Sequence, residues 1–184
     1  LGCYGDGGAI FTNDDDLAHK IRGIVNHGMY VRYHHDVVGV NSRLDSIQAA
    51  ILNVKLPHLD AYNKARQAAA RKYNLAFANE KNIITPVICE NCDCHVFHQY
   101  TLRVLNTDRD ALVNHLNENG IPCGVYYPIP LHSQKAYADK RYDEADFPVT
   151  NQLVKEVISL PMHTELDDDQ IEFITSTIIK FINN

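Results

Sequence analysis

Near the start of the chain a glycine turn feeds a short apolar run, Gly7-Gly8-Ala9-Ile10-Phe11-Thr12, and an acid-capped helix follows almost at once. An apolar run of that length leaving a glycine turn suits a buried strand. Asn13-Asp14-Asp15-Asp16 then offers caps and negative charge for a helix N-terminus, Leu17, Ile21 and Ile24 fall on one face, and Gly28 closes the helix. A strand passing directly into a helix is the local grammar of an α/β domain.

Residues 29–40 show no clean period. Tyr30, Tyr33 and the pair His34-His35 lie between Gly28 and Gly39, a pattern read as a loop, and loops often carry function. Asn41-Ser42-Arg43-Leu44-Asp45 opens a second helix, with Ser42 and Asp45 spaced as a capping box and Leu44, Ile47, Ile51 and Val54 as its apolar stripe. Pro57 ends or kinks it. From Leu59 to Ala78 the Ala, Lys and Arg content predicts a long helix burying Leu59, Tyr62, Tyr73 and Phe77. Helix propensity then collapses at Asn79-Glu80-Lys81-Asn82, which places a domain boundary between residues 1–78 and 79–184.

The second part reads as a small α+β domain of order β-β-α-β-α-β-α. Its strand-like runs are Ile83-Ile84 with Val87-Ile88, the alternation Phe97 to Leu105, Val125-Tyr126-Tyr127 and Ser159-Leu160-Pro161. Between them, Thr107-Asp108 caps a helix stopped by Gly120, and Leu153, Val157 and Ile158 suggest another. Thr164 to Asp167 caps the last helix, whose stripe is Ile171, Ile174, Ile178 and Phe181.

Charge and composition narrow the function classes. Among 184 residues, 17 Lys plus Arg stand against 23 Asp plus Glu, a net charge of −6, which argues against binding nucleic acid. The apolar runs are only a few residues long, so no transmembrane helix and no membrane partner are expected. Leu1-Gly2-Cys3-Tyr4 has neither the basic nor the apolar region of a signal peptide. With five cysteines, an odd number, a disulfide framework is not expected, and the expected compartment is the reducing cytoplasm.

Several constellations admit chemistry. Cys89, Cys92 and Cys94 with His95 and His98 form one thiolate-imidazole knuckle, but a structural zinc site pairs two, so a surface loop is preferred over a small zinc-binding module at residues 89–98. Gly5-Asp6-Gly7-Gly8 precedes a strand rather than linking strand to helix, so a tight turn is preferred over a phosphate cradle. Asn41 and Arg43 at a helix start suit either an anion site or an N-cap with a surface arginine. Tyr126-Tyr127-Pro128-Ile129-Pro130-Leu131-His132 offers stacking rings and hydroxyls for a sugar or nucleobase, or else serves as a rigid connector. His163, in Leu160-Pro161-Met162-His163, also reads as an ordinary loop histidine.

In order along the chain, Leu1-Gly2-Cys3-Tyr4-Gly5-Asp6-Gly7-Gly8-Ala9, His27-Gly28, Gly39-Val40-Asn41-Ser42-Arg43-Leu44-Asp45 and Gln48-Ala49-Ala50-Ile51-Leu52 resemble the DegT-type sugar aminotransferases. So do His98-Gln99-Tyr100, Gly120-Ile121-Pro122, Tyr127-Pro128-Ile129-Pro130-Leu131-His132 and Ser159-Leu160-Pro161-Met162-His163, and the likeness covers essentially the whole chain. These are pyridoxal-phosphate enzymes of fold type I acting on nucleotide-linked keto-sugars. The resemblance implies that residues 1–78 are the C-terminal part of the large cofactor-binding domain and 79–184 the small domain.

It further implies that the lysine forming the Schiff base with the cofactor lies just upstream of Leu1, so no catalytic residue is assigned within the chain and the chain alone is expected to be inactive. Asn41 matches an asparagine that reaches the cofactor phosphate of the partner subunit in a homodimer with shared sites. Arg43, Tyr126, Tyr127 and His132 match positions at the substrate, with Tyr126 departing from a commoner histidine. The implied reaction moves an amino group, with glutamate as expected donor, onto a UDP- or dTDP-linked keto-hexose for bacterial surface polysaccharides. The alternative within the family is a non-catalytic, regulatory member.

Overall fold

The computed structural model describes residues 1–88 and 94–183 of the 184. Cys89 and Cys92 therefore lie outside the described residues, and with them the zinc knuckle. Among the described cysteines, Cys94 is disulfide-bonded, against the expectation of reduced thiols, whereas Cys3 and Cys123 are free. No helix among the described residues is long and apolar enough to cross a membrane.

The chain divides into two compact units, Leu1–Asp60 and Ala61–Asn184. In the first, helix α1 (Asp15–Val25) is capped by the Asp14 carboxylate, which accepts from the Leu17 N–H at 2.9 Å. The helix closes where the Gly28 N–H reaches back to the Gly23 carbonyl at 2.8 Å, and Gly28 adopts the left-handed φ of +77° that glycine tolerates best. The segment read as a loop forms an antiparallel hairpin, β1 (Met29–Val31) with β2 (His34–His35). Its root is Tyr30, whose ring stacks on His19 with centroids 4.4 Å apart. A Cβ on Gly23 would come within 2.4 Å of the Tyr30 ring, so a larger residue there would displace the ring from its present position.

Helix α2 (Ser46–Lys55) follows. Its N-cap is Asp45, which makes no side-chain cap bond, so the expected Ser42–Asp45 box does not form. The predicted stripe is largely exposed, with Ile47 and Val54 each more than 70 % accessible. The run Gly7–Thr12, predicted as a strand, has no regular secondary structure and no ladder partner among the described residues, and Ile10 and Phe11 stand at the surface. An extended run becomes a strand only when another strand takes up its backbone groups.

The second unit holds the hydrophobic core. Helix α3 (Leu59–Ala76) lays Ala69, Ala70 and Tyr73 into it, with Phe77 just beyond, which is why the division falls at 60/61, earlier than the expected 78/79. A three-stranded antiparallel sheet runs in the order β3 (Ile83–Ile84), β4 (Tyr100–Val104), β5 (Val157–Leu160). Tyr100 pairs with Leu160 and Arg103 with Val157 in register. Helices α4 (Arg109–Glu118), α5 (Pro148–Glu156) and α6 (Asp168–Ile182) complete the unit. Leu112 and Leu116 of α4 and Ile171, Ile174 and Ile178 of α6 are buried in its core with Leu102, Val104 and Ile158 of the sheet.

Two strands predicted for this second unit do not form among the described residues. Val87-Ile88 stays irregular, and Val125-Tyr126-Tyr127 is reduced to a single bridge in which Gly124 and Ser159 exchange N–H···O bonds of 3.0 and 2.7 Å. The α+β reading of this half otherwise stands, with α5 ending where β5 begins.

Candidate functional site

In the first unit the structure brings Asn41 and Arg43 together. Arg43 Nε donates to Asn41 Oδ1 at 3.1 Å, which leaves the Asn41 amide NH2 and the guanidinium Nη groups as donors on an exposed surface. Because the Asp45 side chain caps nothing, it does not occupy the first N–H groups of α2 a few residues on. This donor set fits an anion such as a phosphate. The nearby glycine turn is braced from α2: Gln48 Oε1 accepts from the Tyr4 N–H at 2.8 Å, and Lys55 Nζ donates to the Gly2 carbonyl at 2.5 Å.

In the second unit the segment 126–147 supplies the other predicted residues, but in two places. Tyr126 and Tyr127 meet edge to face with centroids 5.9 Å apart and stay accessible. The Tyr126 ring packs close to Gly124, and Tyr127 is the more exposed of the two. His132 stands elsewhere, in the short helical turn Leu131–Ser133. It stacks on Phe147 with centroids 4.2 Å apart and planes 17° from parallel. Leu131, Tyr137, Arg141 and Tyr142 line a cavity of about 690 Å³ with them. His132 Nε2 is buried without a hydrogen-bond partner among the described residues, and a buried nitrogen in that state calls for a ligand or water. At the same cavity Arg141 binds Asp139 through side-chain and backbone bonds and holds its carboxyl below the usual carboxylate range.

Sequence reasoning missed Arg66. It falls on the stripe of α3 that carries Ala69, Ala70 and Tyr73, and an arginine on a buried helix face was the available signal. Its Nη1 donates to three carbonyls, Phe97 at 3.3 Å, His98 at 3.4 Å and Met162 at 3.2 Å, tying the entry of β4 to the exit of β5. Nearby, Tyr73 donates to the Pro161 carbonyl at 3.0 Å and Tyr100 to Asn74 Oδ1 at 2.6 Å, and burial pushes both phenols far above their ordinary range. These hydroxyls are structural donors. They do not titrate at physiological pH.

Residues 1–179 match the DegT/DnrJ/EryC1/StrS aminotransferase family. A UDP-2-acetamido-2-deoxy-3-oxo-D-glucuronate aminotransferase of Pseudomonas aeruginosa is 47% identical over 178 residues, 97% of this chain and 48% of that protein. A pleiotropic regulatory protein of Geobacillus stearothermophilus is 46% identical over 183 residues, 98% of this chain and 48% of the relative. Among solved structures, S. venezuelae DesV, crystallised with a ketimine intermediate, superposes with a TM-score of 0.92 at 36% identity, covering 100% of this chain and 49% of DesV. The chain thus spans about half the length of the curated relatives it matches. Family, fold and motif order agree from end to end: the chain belongs to the DegT/DnrJ/EryC1/StrS aminotransferase family.

Proposed function

We propose that this chain is the C-terminal half of a pyridoxal-phosphate-dependent nucleotide-sugar aminotransferase that works in the cytoplasm as a homodimer with shared active sites. The observation that carries this reading is the family match over residues 1–179, with relatives named as aminotransferases of UDP- and dTDP-linked sugars. When bound, pyridoxal phosphate supplies the electron sink for moving an amino group between donor and acceptor. This chain's residues bind and orient. The Asn41 amide NH2 donates to the cofactor phosphate of the partner's site, and Arg43, which fixes the Asn41 rotamer at 3.1 Å, also faces the anionic part of the substrate. Tyr126 and Tyr127 give rings and hydroxyls to the nucleotide-linked sugar, and His132 supports the edge of that site. The substrate is a UDP- or dTDP-linked keto-hexose, with UDP-N-acetyl sugars favoured, and glutamate is the donor.

The lysine that attaches the cofactor belongs, on this reading, to the part of the polypeptide before Leu1. Incubating the longer polypeptide with pyridoxal phosphate, glutamate and a UDP-linked 3-keto sugar is expected to release 2-oxoglutarate, while the 184-residue chain alone releases none. Turnover by the chain alone, or none by the longer polypeptide, overturns the proposal. The regulatory relative at 46% identity supports a second reading, a non-catalytic member, and the same assay separates the two.

A further inference from the structure

Tyr126, which the reading above places at the nucleotide-linked sugar, owes its ring position to the residue two places before it. Gly124 and Tyr126 line one cleft of about 440 Å³, with His98, Cys123, Leu160 and His163 around them. A Cβ built on Gly124 would lie 2.6 Å from Tyr126 Cε2 and 2.8 Å from both Cζ and Oη. Non-bonded carbon atoms settle roughly 3.5–4.0 Å apart, so the ring and a side chain at 124 cannot share that place.

Gly124 is needed for space and not for backbone freedom. Its φ lies outside the left-handed region, unlike those of Gly28 at +77° and Gly120 at +72°. An alanine therefore fits the backbone at 124, and one of its neighbours has to yield to the added methyl group.

The backbone is the harder of the two to move. The Gly124 N–H donates to the Ser159 carbonyl at 3.0 Å, and the Ser159 N–H donates to the Gly124 carbonyl at 2.7 Å. Ser159 is buried in β5, in register with Thr101 of β4, and the two hydroxyls meet at 2.7 Å. Shifting Gly124 gives up two backbone hydrogen bonds to a buried strand. The Tyr126 ring is 48 % exposed, and the methyl group would meet only its far end. Rotation about the side-chain bonds clears that contact, so the ring moves and the sheet stays.

We propose that Gly124 is a specificity-determining positioning residue: its missing side chain seats the Tyr126 ring beside β5, and any larger residue re-aims the ring and reshapes the cleft. The proposal rests on the assignment of Tyr126 to the sugar and deepens it. A tyrosine in place of the commoner histidine makes the seat matter more, because a phenol reaches further than an imidazole and its Oη is among the atoms the Cβ would meet.

The test measures the Kd of UDP-N-acetylglucosamine, a stable probe for the keto sugar, by calorimetry on the longer polypeptide, so no turnover is required. Gly124→Ala is expected to weaken the probe about fivefold while the thermal midpoint stays within about 2 °C. Combined with Tyr126→Ala, which removes the ring, Gly124→Ala is expected to change the Kd by less than about 1.5-fold, because the contact that couples the two positions is gone. In the 184-residue chain carrying ¹³C-labelled tyrosine, Gly124→Ala is expected to shift the Tyr126 ring signals and leave those of the core residues Tyr73 and Tyr100 in place. An unchanged Kd in Gly124→Ala, where Tyr126→Ala weakens the probe, overturns the proposal alone. Tyr126→Ala that binds the probe as tightly as the unsubstituted protein overturns the assignment of Tyr126 to the sugar, and the role of Gly124 with it. A lowered midpoint with displaced Tyr73 and Tyr100 signals gives Gly124 to the fold and also overturns the proposal. The expected Kd pattern in a longer polypeptide without transaminase activity upholds the proposal and sinks the aminotransferase reading alone.

Discussion

At Glu156 two side chains converge on one carboxylate. Gln152 Nε2 donates to Oε1 at 2.8 Å, and Arg103 reaches Oε2 through Nε at 2.8 Å and Nη2 at 2.7 Å. The Gln152 bond first, and Arg103 after it, hold the carboxyl below its ordinary range. Because the folded value is depressed, the stabilisation is fully present above the ordinary carboxylate range and is lost as pH falls through the folded value. Glu156→Gln should lower stability by about 1 kcal/mol at neutral pH and by much less near pH ~3, read from urea midpoints at both pH values. Equal losses at both would show that charge plays no part. Asn41, Arg43, Tyr126, Tyr127 and His132 were legible as chemical candidates because their residue types and order stand in the sequence. The carbonyl clamp of Arg66 was not, since its partners lie 31, 32 and 96 residues away.

Helix caps are the elements that sequence predicts best, because a cap is made within four residues. The last helix shows it: Asp167 Oδ1 accepts from the Gln170 N–H at 2.8 Å while Gln170 Oε1 accepts from the Asp167 N–H at 3.1 Å, a complete capping box. Asp167→Ala should cost about 1 kcal/mol and Asp167→Asn much less, seen as shifts in thermal midpoint. Equal effects would mean that the cap oxygen is not what matters. Strands behaved differently. Gly7–Thr12, Val87-Ile88 and Val125-Tyr126-Tyr127 have the composition of strands but no ladder partners, or a single bridge. Tyr100–Val104 is a strand because β3 and β5 flank it on either side.

For the whole molecule, the contrast is between its two units. Every buried apolar side chain among the described residues lies between Ala69 and Ile178, inside the unit Ala61–Asn184. A segment of residues 61–184 should therefore unfold cooperatively in urea with a sharp midpoint, whereas residues 1–60 alone should show none, because burial of apolar area is what offsets chain entropy. A flat urea profile for 61–184 would refute this. The sequence by itself determined most of the helices, the caps at Asp14, Asp108 and Asp167, the motif order that marks the family and the chemical types at the candidate sites, all set by neighbours close in the chain. Only the tertiary structure decided which extended runs became strands, which unit claimed α3, and that His98 and His163 share one cleft. Those outcomes depend on partners distant in sequence, and local pattern carries no record of them.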